Sequence, residues 1–223
     1  MPSRKSATPL VAINAVAIDT ETTSLDTNKA RFVQMGAVRL KNGRLLETDV
    51  FDTLVNPEEA IPEVSTRVHG ITNADVRVAR AFKEMHGEFE RFVGQEIVIG
   101  HSVGFDLAIW RNEAKRAGVE WPAPRALDTR LLAEIANPRL PGFSLEIVTA
   151  WLGIEEKNRH SALGDALLAA RVFLALVPHL RERNIRTVAE AEAACAKLSN
   201  ALEEQVRARS EEHTSELQSR QYL

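Results

Sequence analysis

Two carboxylates close the apolar run Val16-Ala17-Ile18-Asp19-Thr20-Glu21-Thr22-Thr23. Side chains alternate between the faces of a β-strand, so Asp19 and Glu21, two apart, point the same way. A strand that buries Val16 and Ile18 and then offers two acids at its end can hold a hard cation. Two later segments again place an acid beside apolar structure. Gly100-His101-Ser102-Val103-Gly104-Phe105-Asp106 reads as a strand end, a small-residue turn and an acid entering a helix. Taken alone, Asp106 is a helix cap or a first-turn acid favoured by the helix dipole. The run from His160 to Ala170 places Asp165 early in a helix built largely of Ala and Leu. Burying a charge there needs a partner, and a metal or a solvent-facing position would supply it. Hard cations such as Mg²⁺ and Mn²⁺ prefer oxygen ligands, which makes carboxylates the side chains to follow.

The elements that must position these groups can be read in order. Residues 11–19, 32–40 and 45–55 predict three strands. Lys41-Asn42-Gly43-Arg44 supplies a hairpin turn with the favoured Asn-Gly pair, so the three form an antiparallel meander. Residues 62–69 predict a short helix ended by Gly70. Ala81, Phe82, Met85, Phe89, Phe92 and Val93 recur at helical spacing. Ile97 to His101 is a short buried strand, and Phe105–Ala117 a helix stopped by Gly118. Ala126–Asp128 is a last strand, followed by helices over 129–136, 144–152 and 161–176. Strands followed by alternating helix and strand give an α/β layer fold with a mixed sheet.

The chain of 223 residues carries a formal charge of −3, which excludes the strongly basic surface that coats duplex nucleic acid. An enzyme that grips only a strand end is not excluded. Cys195 is the only cysteine, so internal disulfides and Cys-based zinc sites are excluded. The apolar run stopped by Asp19 is too short for a membrane span and has no signal-peptide pattern, and the expected setting is cytoplasmic with no membrane partner. Residues 1–10 are expected to be a disordered lead-in, 11–180 the catalytic domain, and 181–208 an Ala/Glu-rich helical appendage or linker. Residues 209–223 resemble the translation of a sequencing adapter, so the natural sequence is expected to depart near Ala208 and to continue beyond it.

The set Asp19, Glu21, Asp106 and Asp165, with His160 five residues before the last acid, resembles the DEDDh family of 3′–5′ exonucleases. Within it, the chain is similar to the proofreading epsilon-subunit type of bacterial DNA polymerase III. Ile18–Thr23, Val68-His69-Gly70-Ile71-Thr72, Gly100–Asp106 and His160–Asp165 carry the likeness, which runs from about Val11 to about Val177. It implies a ribonuclease H-like mixed five-stranded sheet flanked by helices. It also implies two divalent cations, Mg²⁺ or Mn²⁺, held by Asp19, Glu21, Asp106 and Asp165, with His160 as the general base. A sister group uses Tyr four residues before the last acid, where Ser161 stands here. By the same resemblance Thr22, Thr23, Leu25, His69 and Phe105 would meet the terminal nucleotides of a single-stranded or frayed 3′ end. Ordinary core packing is an equal reading of Leu25 and Phe105. The family's usual glycine after the Thr pair is Ser24. His101 is expected to support the site, and His179 has no evident role.

These implications point to hydrolysis of DNA from its 3′ end with release of nucleoside 5′-monophosphates, in proofreading or repair. The alternatives are an RNA-trimming exoribonuclease and a non-catalytic module that binds nucleic-acid ends or a polymerase. A zinc hydrolase would need ligands with more His and Cys character. A polymerase, or a domain lost from the C-terminal side, is the expected protein partner.

Overall fold

The computed structural model describes residues 7–156 and 159–220, the stretch 205–220 by its backbone alone. The expectations for residues 1–6 and 221–223 lie outside the described residues. Strands β1 (Ala15–Thr22), β2 (Phe32–Lys41) and β3 (Arg44–Leu54) form the meander, with Asn42 and Gly43 at φ 49° and 68° in the β2–β3 turn. Strands β4 (Ile97–Gly100) and β5 (Ala126–Asp128) add in parallel on the other side of β1. The five-stranded order is β3-β2-β1-β4-β5, the ribonuclease H-like arrangement implied by the motifs.

Eight helices are described: α1 (Glu63–His69), α2 (Asn73–Val76), α3 (Phe82–Val93), α4 (Gly104–Ala117), α5 (Thr129–Ala136), α6 (Leu145–Leu152), α7 (Ala162–Glu182) and α8 (Val188–Arg220). Alternation along the strands splits the core into two layers. Ala15 and Ala17 of β1, with Ile97, Ile99 and Leu127, face α5, α6, α7 and the start of α8. Val16 and Ile18, with Met35, Ala37 and Val98, face α3 and α4. Continuing the alternation, Asp19 and Glu21 fall on the α7 side and Thr20 on the α4 side. α7 is long and apolar enough to cross a membrane by length and composition, but most of its apolar residues are buried, packed against the sheet and α5.

Four boundaries differ from the reading of the sequence, one being that the helix expected over 161–176 runs on to Glu182. The expected first strand begins only at Ala15, because Leu10–Ala12 forms a 3₁₀ turn. The end of the lead-in is ordered, with Leu10 fully buried and the Thr8 carbonyl accepting from Val188 N–H at 3.0 Å. An orphan donor at the start of α8 thereby finds its acceptor. The beginning of the expected appendage is core as well: Ile185, Val188, Ala191 and Cys195 are buried among α5 and β5 neighbours. Small side chains at helical spacing allow close packing without the large apolar residues by which cores are usually read. The single-turn α2 had no sequence reading. Its Thr72 N–H donates to Asp75 Oδ2 at 2.8 Å.

Candidate active site

Asp19, Glu21 and Asp165 converge. Each offers one carboxylate oxygen, and these oxygens lie within 4.8 Å of one another. The two acids of β1 reach this point by the period of the strand. Asp165 reaches it because Ser161 caps α7, its hydroxyl accepting from Gly164 N–H at 3.2 Å, and fixes where the helix begins.

Without a cation these carboxylates destabilise one another. Burial, followed by repulsion from Asp106, Asp165 and Glu21, pushes Asp19 well above the ordinary carboxylate range. Burial and the same neighbouring acids raise Glu21 to about 7. Burial raises Asp106 to about 7 as well, opposed by the hydroxyl of Thr20. An oxygen-only set of crowded, desolvated acids fits a hard divalent cation and is a poor site for zinc.

Asp106 stands outside the close trio but within its electrostatic reach. It enters from the first turn of α4, is only 4% exposed, and accepts from Thr20 Oγ1 at 2.6 Å. His160 is exposed in the turn before α7, in a left-handed backbone conformation at φ 60°. That conformation is uncommon outside glycine and marks a constrained turn. His101 is tied into the fold rather than to the acids: its ring lies 3.0 Å from Thr129 Oγ1 and 2.8 Å from the Phe143 carbonyl.

Arg159 was missed by the sequence reading. Its Nη1 donates to Asp165 Oδ1 at 2.6 Å, and its other nitrogen bonds Glu146 on α6. Its charge lowers the proton affinity of Asp19 and Glu21. The available signal was a cation immediately before His160 in the chain. Thr20 was visible only as the residue between two acids, and the same alternation that pairs them sends it to the opposite face.

Next to the acids lies a cavity of about 420 Å³, lined by Glu21, Thr22, Thr23, Leu25, His69 and the apolar face of α1. Four of the five expected nucleotide contacts meet here; Phe105 packs instead at the edge of the α3–α4 core. Leu25 is 88% exposed, and Val64 and Val68 are exposed across from it, so the cavity has an apolar rim. The Thr23 hydroxyl is engaged within the protein, donating to Glu59 Oε1 at 2.8 Å and accepting from Arg31 N–H at 3.0 Å. His69 Nδ1 accepts from Ile71 N–H at 3.0 Å, which leaves the proton of the neutral ring on Nε2. Burial holds this imidazole below its ordinary pKa. Ser24 replaces a glycine without strain: it is not among the described residues with positive φ, and its hydroxyl accepts from Asp26 N–H at 3.0 Å.

Comparison with known proteins agrees with this geometry. An exonuclease family model matches residues 16–173. A DNA polymerase III subunit epsilon-like protein of Rhodobacter capsulatus is 42% identical over 188 residues, covering 83% of this chain and 27% of its own length. The DNA polymerase III subunit epsilon of Aquifex aeolicus is 36% identical over 166 residues, 74% of this chain and 81% of its own. Among solved structures, the nuclease domain of 3′hExo, a DEDDh family member bound to rAMP, superposes with a TM-score of 0.63 at 19% identity. That likeness covers 78% of this chain and 95% of that one, and speaks for the shared fold. This chain therefore spans about a quarter of its Rhodobacter relative and most of the Aquifex one.

Proposed function

The chain belongs to the exonuclease family, and from that premise we propose that it is a metal-dependent 3′–5′ exonuclease. It hydrolyses phosphodiester bonds from the 3′ end of DNA and releases nucleoside 5′-monophosphates. The observation that carries this reading is the double role of Glu21. Its carboxylate belongs to the converging trio, and the same residue lines the cavity beside Thr22, Leu25 and His69. A strand end seated in that cavity would bring its last phosphodiester to the acids.

In this reading Asp19, Glu21 and Asp165, with Asp106, would hold two divalent cations, Mg²⁺ or Mn²⁺. Bound there, such cations lower the pKa of water and stabilise charge on the attacking and leaving oxygens. The protein's residues supply the rest. His160, reachable from solvent, takes the proton of the attacking water. The backbone at Thr22 and Thr23 and the side chain of His69 hold the terminal nucleotide. Leu25, with the α1 valines, packs against its base, a contact that tolerates any sequence. Arg159 keeps the Asp165 carboxylate in place through the hydrogen bond from its Nη1.

The natural substrate in this reading is a single-stranded or frayed 3′ end. A polymerase or a further domain would deliver it, consistent with the much longer Rhodobacter relative. The test is digestion of matched DNA and RNA oligonucleotides, single-stranded or with a mismatched 3′ end. Mononucleotides released from the 3′ side of DNA support the proposal, and faster loss of the RNA would move it to RNA trimming. No divalent-dependent shortening of either would defeat it.

A further inference from the structure

The acids sit on two elements, β1 and α7, and something must fix the distance between them. Two residues of β2 occupy that junction. Gly36 pairs with Asp19 in the sheet, and a Cβ added there would come within 2.2 Å of the Ala162 carbonyl carbon. The first turn of α7 therefore rests directly on the β2 backbone. Gln34 pairs with Glu21, and its Oε1 accepts from Ala162 N–H at 3.1 Å, the first amide of α7. Helix-start amides lack partners within their own helix. Here a strand side chain supplies one from 128 residues away.

A glutamine amide can present either its oxygen or its nitrogen. Asp52 on β3 removes the choice, because its Oδ1 accepts from Gln34 Nε2 at 2.8 Å. A carboxylate only accepts and an amide N–H only donates, so a single orientation satisfies both neighbours. We propose that Gln34, oriented by Asp52, is a positioning residue: it sets where α7 starts against the sheet, and so where His160 and Asp165 stand relative to Asp19 and Glu21. The proposal rests on the exonuclease reading for its effect on turnover, but its effect on metal binding is independent of that reading. Neither Gln34 nor Asp52 belongs to the motif acids.

The test compares the full-length protein with Gln34→Met, Gln34→Glu and the double variant Gln34→Glu/Asp52→Asn. Each is measured by steady-state oligonucleotide hydrolysis and by calorimetric titration of the metal-free protein with Mn²⁺. Gln34→Met removes the acceptor at similar volume. Its expected result is a kcat lower by about 10-fold or more, an unchanged KM, and a similar loss of Mn²⁺ affinity, the range found when groups behind metal ligands are removed. Gln34→Glu keeps an oxygen for Ala162 N–H but sets two carboxylates together, and it should lose activity. The double variant restores a donor opposite the new carboxylate and should regain most of the loss. Wild-type kcat and Mn²⁺ affinity in Gln34→Met would overturn the proposal. If that variant does not fold, failure of the double variant to improve on Gln34→Glu would overturn it. An inactive wild type whose Mn²⁺ affinity still falls in Gln34→Met would sink the exonuclease reading and leave the positioning role standing.

Discussion

The Thr20 hydroxyl donates to Asp106 Oδ1 at 2.6 Å, joining β1 to α4 across 86 residues. Thr20 lies between Asp19 and Glu21 yet points to the other face of the sheet, so β1 works on both sides at once. One side presents two acids toward α7, and the other holds a third acid in a buried place beneath them. Thr20→Val keeps the shape and removes the donor. Loss of a hydrogen bond to a buried acid should cost about 1–3 kcal/mol in urea denaturation of the metal-free protein. In an Asp106→Leu background the same Thr20 substitution should cost far less, which a double-mutant cycle checks.

The raised acids predict how the metal-free protein responds to pH. Asp106 and Glu21 lie near 7 in the native state, whereas free carboxylates titrate near 4. Between those values the native state binds more protons than the unfolded chain. Their contribution to stability is therefore present at low pH and is lost as pH rises toward 7, by at most about 1.4 kcal/mol per pH unit for each proton. The measurement is the stability difference between Asp106→Asn and wild type in chelator. The variant should gain on the wild type from pH 4 to pH 7, and Mg²⁺ should reduce the gain by stabilising the wild type more than the variant. A difference that does not vary with pH would refute the assignment of the raised proton affinity to Asp106.

Gly36→Ala should be among the most damaging single changes, because its new carbon meets backbone, which cannot rotate aside. Overpacking of this kind costs about 1–3 kcal/mol or more. The start of α7 must move, so Mn²⁺ affinity should fall along with stability. The same substitution at Gly104 or Gly87, where no atom lies within 4 Å, serves as the control and should leave Mn²⁺ affinity unchanged.

Leu25→Ala should separate substrate binding from chemistry. Because it is 88% exposed, Leu25→Ala should change stability by no more than about 0.5 kcal/mol. In hydrolysis assays it should raise KM for single-stranded DNA and spare kcat. Equal KM values for variant and wild type would return Leu25 to the surface and leave the cavity rim to the α1 valines.

What the sequence disclosed follows from what repeats locally. The period of two made Asp19 and Glu21 legible as a pair, and Asn42-Gly43, Gly70 and Gly118 marked turns and helix ends that the structure retains. The contacts of Gln34 and Gly36 with Ala162 could not be read, because they depend on how a helix crosses a strand more than a hundred residues earlier. Arg159 was illegible for a related reason: its value lies in Glu146 and Asp165, which only folding brings to it. The start of α8 was misjudged because Ala191 and Cys195 are too small to announce a core, although both are buried in one.

The central claim is that Asp19 and its partners hold cations for hydrolysis from a 3′ end, and product analysis of a 5′-labelled single-stranded DNA tests it most directly. The assay follows wild type and Asp19→Asn side by side, with Mg²⁺ and with chelator. The wild type with Mg²⁺ should give a ladder shortening from the 3′ side and release nucleoside 5′-monophosphates, and the other three samples should not. Equal shortening by Asp19→Asn, or by the wild type in chelator, would contradict it.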